Sequence, residues 1–159
     1  MTKEDITRKF NTLMGIIMML MVIGAVWQVV SRYIFNAPST ITEDLLRYLL
    51  VWSCMIGSMF AFYSGDHLAL TLLSDRLNTK QLIIYNIVLD LVILLFFIVF
   101  FIPGGIKLVV SAMKQLSPSL QLPMGYVFII IPITAILISL IKVGAIIKNI
   151  LALKGVKNG

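Results

Sequence analysis

Four long apolar stretches, residues 13–30, 45–63, 82–102 and 124–141, leave this chain few ways to fold. Each comes close to the roughly 20 residues that a helix needs to cross a hydrocarbon core ~30 Å thick. At ~1.5 Å per residue the third would cover about 31 Å. Lipid offers no water to satisfy backbone N–H and C=O groups, so a lone crossing segment must satisfy them within itself, as a helix does. The sequence therefore predicts an all-α integral membrane protein with four transmembrane helices. Composition agrees: the chain is 60% hydrophobic and 13% charged, with a mean hydropathy of +1.03. That excludes a large soluble domain within these 159 residues. We expect one membrane domain over 1–159. Its spans fall at about 13–31, 43–63, 82–102 and 123–147, and a short amphipathic helix lies at about 106–116.

The edges of these segments carry recognisable signals. The first is longer than the roughly 7–15 apolar residues of a signal peptide, and Arg32 and Tyr33 follow where a small-residue cleavage site would lie. It is expected to stay as a span. Thr40 and Glu43 have capping-box spacing behind Pro38, which places the start of the second helix near Ile41. Pro103, Gly104 and Gly105 should break or bend the third span, and Pro132 should kink the fourth. Lys107, Ser111, Lys114 and Gln115 share one helical face. That pattern suits an amphipathic helix on the membrane, or a tilted extension of the third span.

Net charge is +6, yet no basic run is interleaved with aromatics as nucleic-acid binding would require. The positive residues gather at span ends instead. Lys3, Arg8, Lys9, Arg76, Lys80, Lys142, Lys148, Lys154 and Lys157 fall on one side, nine in all. Arg32, Arg47, Lys107 and Lys114, four in all, fall on the other. The richer side should be cytoplasmic, which puts both termini inside.

Little in the chain suggests catalysis. The single histidine, His67, suits a hydrogen bond in a loop or interface, since catalysis would need a base or metal partner. No cluster has metal-ligand spacing, and no phosphate loop is present. No enzyme activity, metal or cofactor is expected. Cys54, inside an apolar segment, reads as a small packing residue. Asp90 is sharper, because an ionisable group near mid-span is a functional hypothesis by default. It either carries a proton or bonds another helix in a polar stripe with Asn86, one turn earlier. No cation is expected at its depth, and Lys142 and Lys148 are expected to snorkel at the exit of the fourth span.

The segment 32–52 concentrates charge where a plain anchor would have a short polar loop. Glu43 and Arg47 are spaced i, i+4 and Asp44 and Arg47 i, i+3, so they can pair along one helix start. Tyr33, Tyr48 and Trp52 can serve as an aromatic belt. Arg32 is the charge that such pairing explains least.

The run VVSRYIFNAPSTITEDLLRYLLVW, followed by Gly57 and then SGDHLAL, resembles the small membrane subunit (DctQ-type) of TRAP (tripartite ATP-independent periplasmic) transporters. Arg32, Tyr33, Phe35, Asn36, Pro38, Glu43, Asp44, Arg47, Tyr48, Trp52, Gly57 and His67 fall at matching positions. Ser117-Pro118 and Leu122-Pro123-Met124 resemble the family's link into the fourth span. Asp66 before the histidine departs softly from the pattern, and Asp90 maps to no family role.

The resemblance implies a heteromeric secondary transporter, commonly sodium-coupled, in a bacterial or archaeal inner membrane. A periplasmic substrate-binding protein would capture an organic anion such as a carboxylate or sugar acid. A large multi-span subunit would carry substrate and ions. The small subunit would support it among membrane lipids. Arg32, Tyr33, Asn36, Glu43, Asp44, Arg47, Trp52, His67 and Asp90 are then candidate structural or subunit-interface residues, and Lys107 and Lys114 candidates for docking the binding protein. Two other readings stand beside this one. The first is a self-contained proton-coupled exporter using Asp90. The second is a membrane anchor for a soluble enzyme.

Overall fold

The structure, a computed structural model, describes residues 3–64 and 79–157. Its elements are α1 (Lys3–Tyr33), α2 (Thr40–Ser64), α3 (Thr79–Phe96), a π-helical turn π1 (Phe97–Phe101), α4 (Ile102–Ala112), α5 (Gly125–Phe128) and α6 (Ile130–Lys157). Among the described residues, four stretches are long and apolar enough to cross a membrane: Asp5–Tyr33, Thr40–Ser64, Gln81–Ala112 and Gly125–Leu153. The protein is an all-α integral membrane protein.

The described residues divide into two compact units. One draws on the chain up to Gly57 together with Lys107–Ile130, and the other on Ser58–Ile106 together with the chain from Ile131 onward.

In the first unit α1 ends in a turn held by Asn36 at φ 48°. Asparagine tolerates this left-handed conformation better than other residues that carry a Cβ. The Ala37 amide donates to Ser31 O at 3.0 Å. The second helix begins at Thr40, so the residue before it is Ser39, and the cap differs from the expected Thr40–Glu43 box. Ser39 Oγ and Thr42 Oγ1 lie 2.6 Å apart. Gly24 brings α1 close to α2, since a Cβ there would stand 2.8 Å from Leu46 Cδ2.

Residues 113–124 of the same unit form a tight loop. Leu116 and Pro123 make an antiparallel bridge, Ser117 N donates to Leu122 O at 2.9 Å, and Met124 N donates to Gln115 O at 2.9 Å. Ser117 is fully buried, and its Oγ accepts the Leu120 amide at 3.1 Å. Gly125 has no room for a side chain. A Cβ would lie 2.6 Å from Met113 Cγ and 2.9 Å from the Val109 carbonyl oxygen.

The core of the second unit is Phe97, Ala135 and Ile138, with Met59, Phe62, Ile93, Phe101 and Ile102 packed against it. Phe62 meets Phe97 edge-on at 5.5 Å between centroids. That is a favoured geometry for ring quadrupoles.

Two sequence expectations meet a different outcome here. Pro103 does not break the third span. The Ile102 amide bonds to Phe97 O across a π turn, and the helix then runs on to Ala112. Proline has no N–H to give and presses on the carbonyl one turn back. The wider turn just before it absorbs that conflict. The amphipathic stretch is therefore α4, continuous with the third span, and it ends four residues earlier than the charge pattern suggests. Lys107 and Ser111 lie on the helix, while Lys114 and Gln115 lie in the turn beyond it. Pro132, in turn, does not kink the middle of a helix. It occupies the first turn of α6, where a missing N–H costs little. The fourth span is interrupted at Ile129 instead, between α5 and α6.

Candidate functional site

Asp90 has a partner that sequence reasoning missed. Lys142 Nζ lies 2.7 Å from Asp90 Oδ1, with Asp90 8% and Lys142 4% exposed. The expectation of a lysine snorkelling at the exit of the fourth span, with no cation at the depth of Asp90, is corrected. α6 continues to Lys157, so position 142 lies inside the helix rather than at its end. The placement follows from helical periodicity. On α3 and π1, Asp90, Ile93, Phe97 and Phe101 form one stripe. On α6, Ala135, Ile138 and Lys142 form another. The apolar part of each stripe joins the core, and each stripe reaches one member of the ion pair. The Phe62 ring centroid stands 5.4 Å from Lys142 Nζ, within range of a cation–π contact. One turn before Asp90, Asn86 Oδ1 is buried with no hydrogen-bond partner among the described residues. The polar stripe of Asn86 and Asp90 is thus real as a helix face, but the aspartate bonds a lysine rather than a neutral group.

In the first unit, one face of α2 reads Asp44, Tyr48, Trp52 at i, i+4, i+8, and all three bond to the segment 119–127. Asp44, 3% exposed, accepts the Ser119 amide on Oδ2 at 3.1 Å. Tyr48 donates to Met124 Sδ at 3.5 Å, and Trp52 Nε1 donates to Val127 O at 3.1 Å. The next face over carries the exposed ion pair of Arg47 Nη2 and Glu43 Oε1 at 3.2 Å. The clustered charges thus separate into two groups. Asp44 does not join Arg47 as its spacing allowed; it holds the loop at Ser119. Tyr48 and Trp52 do more than mark the membrane boundary, because Tyr48 ties α2 to the residue just before the fourth span and Trp52 ties it to the first turn of that span.

The remaining candidates are scattered. Arg32 and Tyr33 end α1, both exposed, and Asn36 forms the turn after it. Lys107 and Lys114 are exposed, on α4 and just past it. Cys54 is exposed rather than packed, facing outward from α2. His67 lies outside the described residues. Among the described residues no group of three His, Cys, Asp or Glu side chains is placed to hold a metal ion.

A family model of the DctQ component of tripartite ATP-independent periplasmic transporters matches residues 18–152, a range that holds both bonding clusters. The chain belongs to this family. It is similar to a Haemophilus influenzae protein assigned as a TRAP transporter small permease, with 29% identity over 134 residues, 84% of this chain and 83% of the relative. It is also similar to the sialic acid TRAP transporter small permease protein SiaQ of Vibrio cholerae, with 31% identity over 68 residues, 43% of this chain and 39% of the relative. The chain is thus a TRAP transporter small permease subunit, a multi-pass protein of the inner membrane. The resemblance carried by the 32–67 motifs leads to the same family as the match over the longer range.

Proposed function

We propose that this chain is the non-transporting, non-catalytic scaffold of a sodium-coupled TRAP importer of an organic anion. It holds the large multi-span permease subunit and helps dock the periplasmic binding protein. The observation that carries this reading is the ion pair. A carboxylate that shuttles protons or ions has to be free to exchange them, whereas Asp90 is held by Lys142 inside the chain. That supports a fixed framework and weighs against the exporter that would use Asp90 as its titrating group. The organic-anion substrate is supported by the family and by the sialic acid transporter relative. Sodium coupling rests on the family resemblance alone.

Orientation follows from charge. With Lys142 removed from the count of interfacial cations, eight lysines and arginines remain on one side against four on the other, so both termini stay cytoplasmic. The Asp44–Ser119 and Glu43–Arg47 contacts then face the periplasm, with Lys107 and Lys114. This is where the binding protein would dock.

The test is reconstitution. Liposomes with this chain alone should show no uptake, and liposomes with chain and large permease should take up substrate when the binding protein and a sodium gradient are present. A gentle detergent pull-down of the chain should bring down a large multi-span protein. Transport by the chain alone, lost on Asp90→Asn, would establish the exporter instead. A soluble enzyme in the pull-down would establish the anchor.

A further inference from the structure

We propose that the cleft at the end of α1 binds one anionic phospholipid headgroup through Arg32. Within the charged cluster, Glu43 and Arg47 hold each other and Asp44 holds the Ser119 amide, but Arg32 has no partner among the described residues. It lines a cleft of about 340 Å³. Gln28 and Tyr33 line it too, and their polar side-chain atoms also lack a partner among the described residues. Val29 and Pro38 supply apolar wall.

Depth selects the ligand. The apolar run of α1 ends at Val30, so the cleft lies where hydrocarbon gives way to headgroups. Below it, α1 presents exposed Ile23, Val26 and Val29 along which acyl chains can lie. A guanidinium at this depth matches a phosphodiester, because its fork can donate two parallel bonds to two phosphate oxygens. Charge selects the head. Glu43 also lines the cleft, but its carboxylate is already neutralised by Arg47. The open charge is one positive unit, on Arg32. A monoanionic phosphodiester with an uncharged polar head, as in phosphatidylglycerol, matches it. A zwitterionic lipid would bring an ammonium that the cleft has no free carboxylate to meet.

The test titrates the full chain, purified in a mild nonionic detergent, with phosphatidylglycerol or phosphatidylethanolamine and counts bound lipid by native mass spectrometry. One phosphatidylglycerol should be retained in preference to phosphatidylethanolamine. Arg32→Gln should weaken that retention about tenfold or more, the loss expected for hydrogen bonds to a charged group. Arg8→Gln, at the other end of the same helix, should leave it within about twofold, since exposed charge alone contributes little. Equal retention of the two lipids, an equal loss in Arg8→Gln, or displacement by inorganic phosphate would each overturn the proposal. Should Arg32→Gln fail to accumulate, Arg32→Lys decides. It keeps the charge and loses the fork, so several-fold weaker retention supports the site and unchanged retention refutes it.

Discussion

Asp90→Asn should destabilise the chain more than any other single polar change. The substitution keeps the size of the side chain and removes its charge. Lys142, 4% exposed, then loses the Asp90 carboxylate. Moving it to water is not a cheap escape. At ~1.5 Å per residue it stands about 9 Å along α6 from the interfacial Lys148, farther than a lysine stem reaches. Removing one member of a buried pair typically costs about 3–5 kcal/mol. Lys142→Met removes the other member of the pair and should also destabilise, although methionine fills much of the lysine's volume. Replacing both, as Asp90→Leu with Lys142→Met, removes two desolvated charges together and should be near neutral or stabilising by about 1–4 kcal/mol. The charge swap Asp90→Lys with Lys142→Asp should recover part of the loss of either single swap. Thermal unfolding in detergent, followed by size-exclusion of a fluorescent fusion, ranks all these variants. Asp90→Asn and Lys142→Met losses each below about 0.5 kcal/mol, the range of surface substitutions, would contradict a structural pair. So would losses of Asp90→Leu and Lys142→Met, each made singly, that simply add in the double variant, since paired groups do not behave independently.

Three further outcomes follow from the first unit. Asp44→Ala leaves the Ser119 amide without its acceptor in a part-buried site, and should cost about 1–3 kcal/mol and speed proteolysis within 113–124. Gly125→Ala forces a Cβ to within 2.9 Å of the Val109 carbonyl, so it should destabilise by about 1–3 kcal/mol in the same thermal assay. Glu43→Arg and Arg47→Glu, on an exposed pair, should change chain stability by under about 1 kcal/mol while weakening co-purification of the large permease or uptake. Co-purification and uptake both unchanged in the two single reversals would remove that pair from the assembly surface.

Span count and helix class were legible because membrane length and lipid chemistry leave one solution for each apolar run. The loop chemistry was less so. Asn36 and Pro38 marked the turn before the second helix, but Ser39 and Thr40 are both good capping residues and spacing alone did not choose between them. Pro103, Gly104 and Gly105 signalled a break or a bend, and the π turn just before them, with Phe97 and Phe101 in the core, keeps the helix going. The Asp90–Lys142 pair was the largest omission. The lysine was read by its place at the end of an apolar count, although Val143 to Ile147 continue that count beyond it. The spacing of Ala135, Ile138 and Lys142 on one face was the available sign. Asp44, Tyr48 and Trp52 lie on a face that could be read from the sequence, but their partners 75 or so residues away could not.

In the proposed scaffold, Asp90 serves as half of a structural pair and not as a carrier. Substrate uptake by the assembled transporter containing the Asp90→Leu, Lys142→Met chain tests it most directly. Uptake should stay close to that of the unaltered complex, with the altered chain present at normal stoichiometry. Loss of uptake from a complex that still assembles would contradict it.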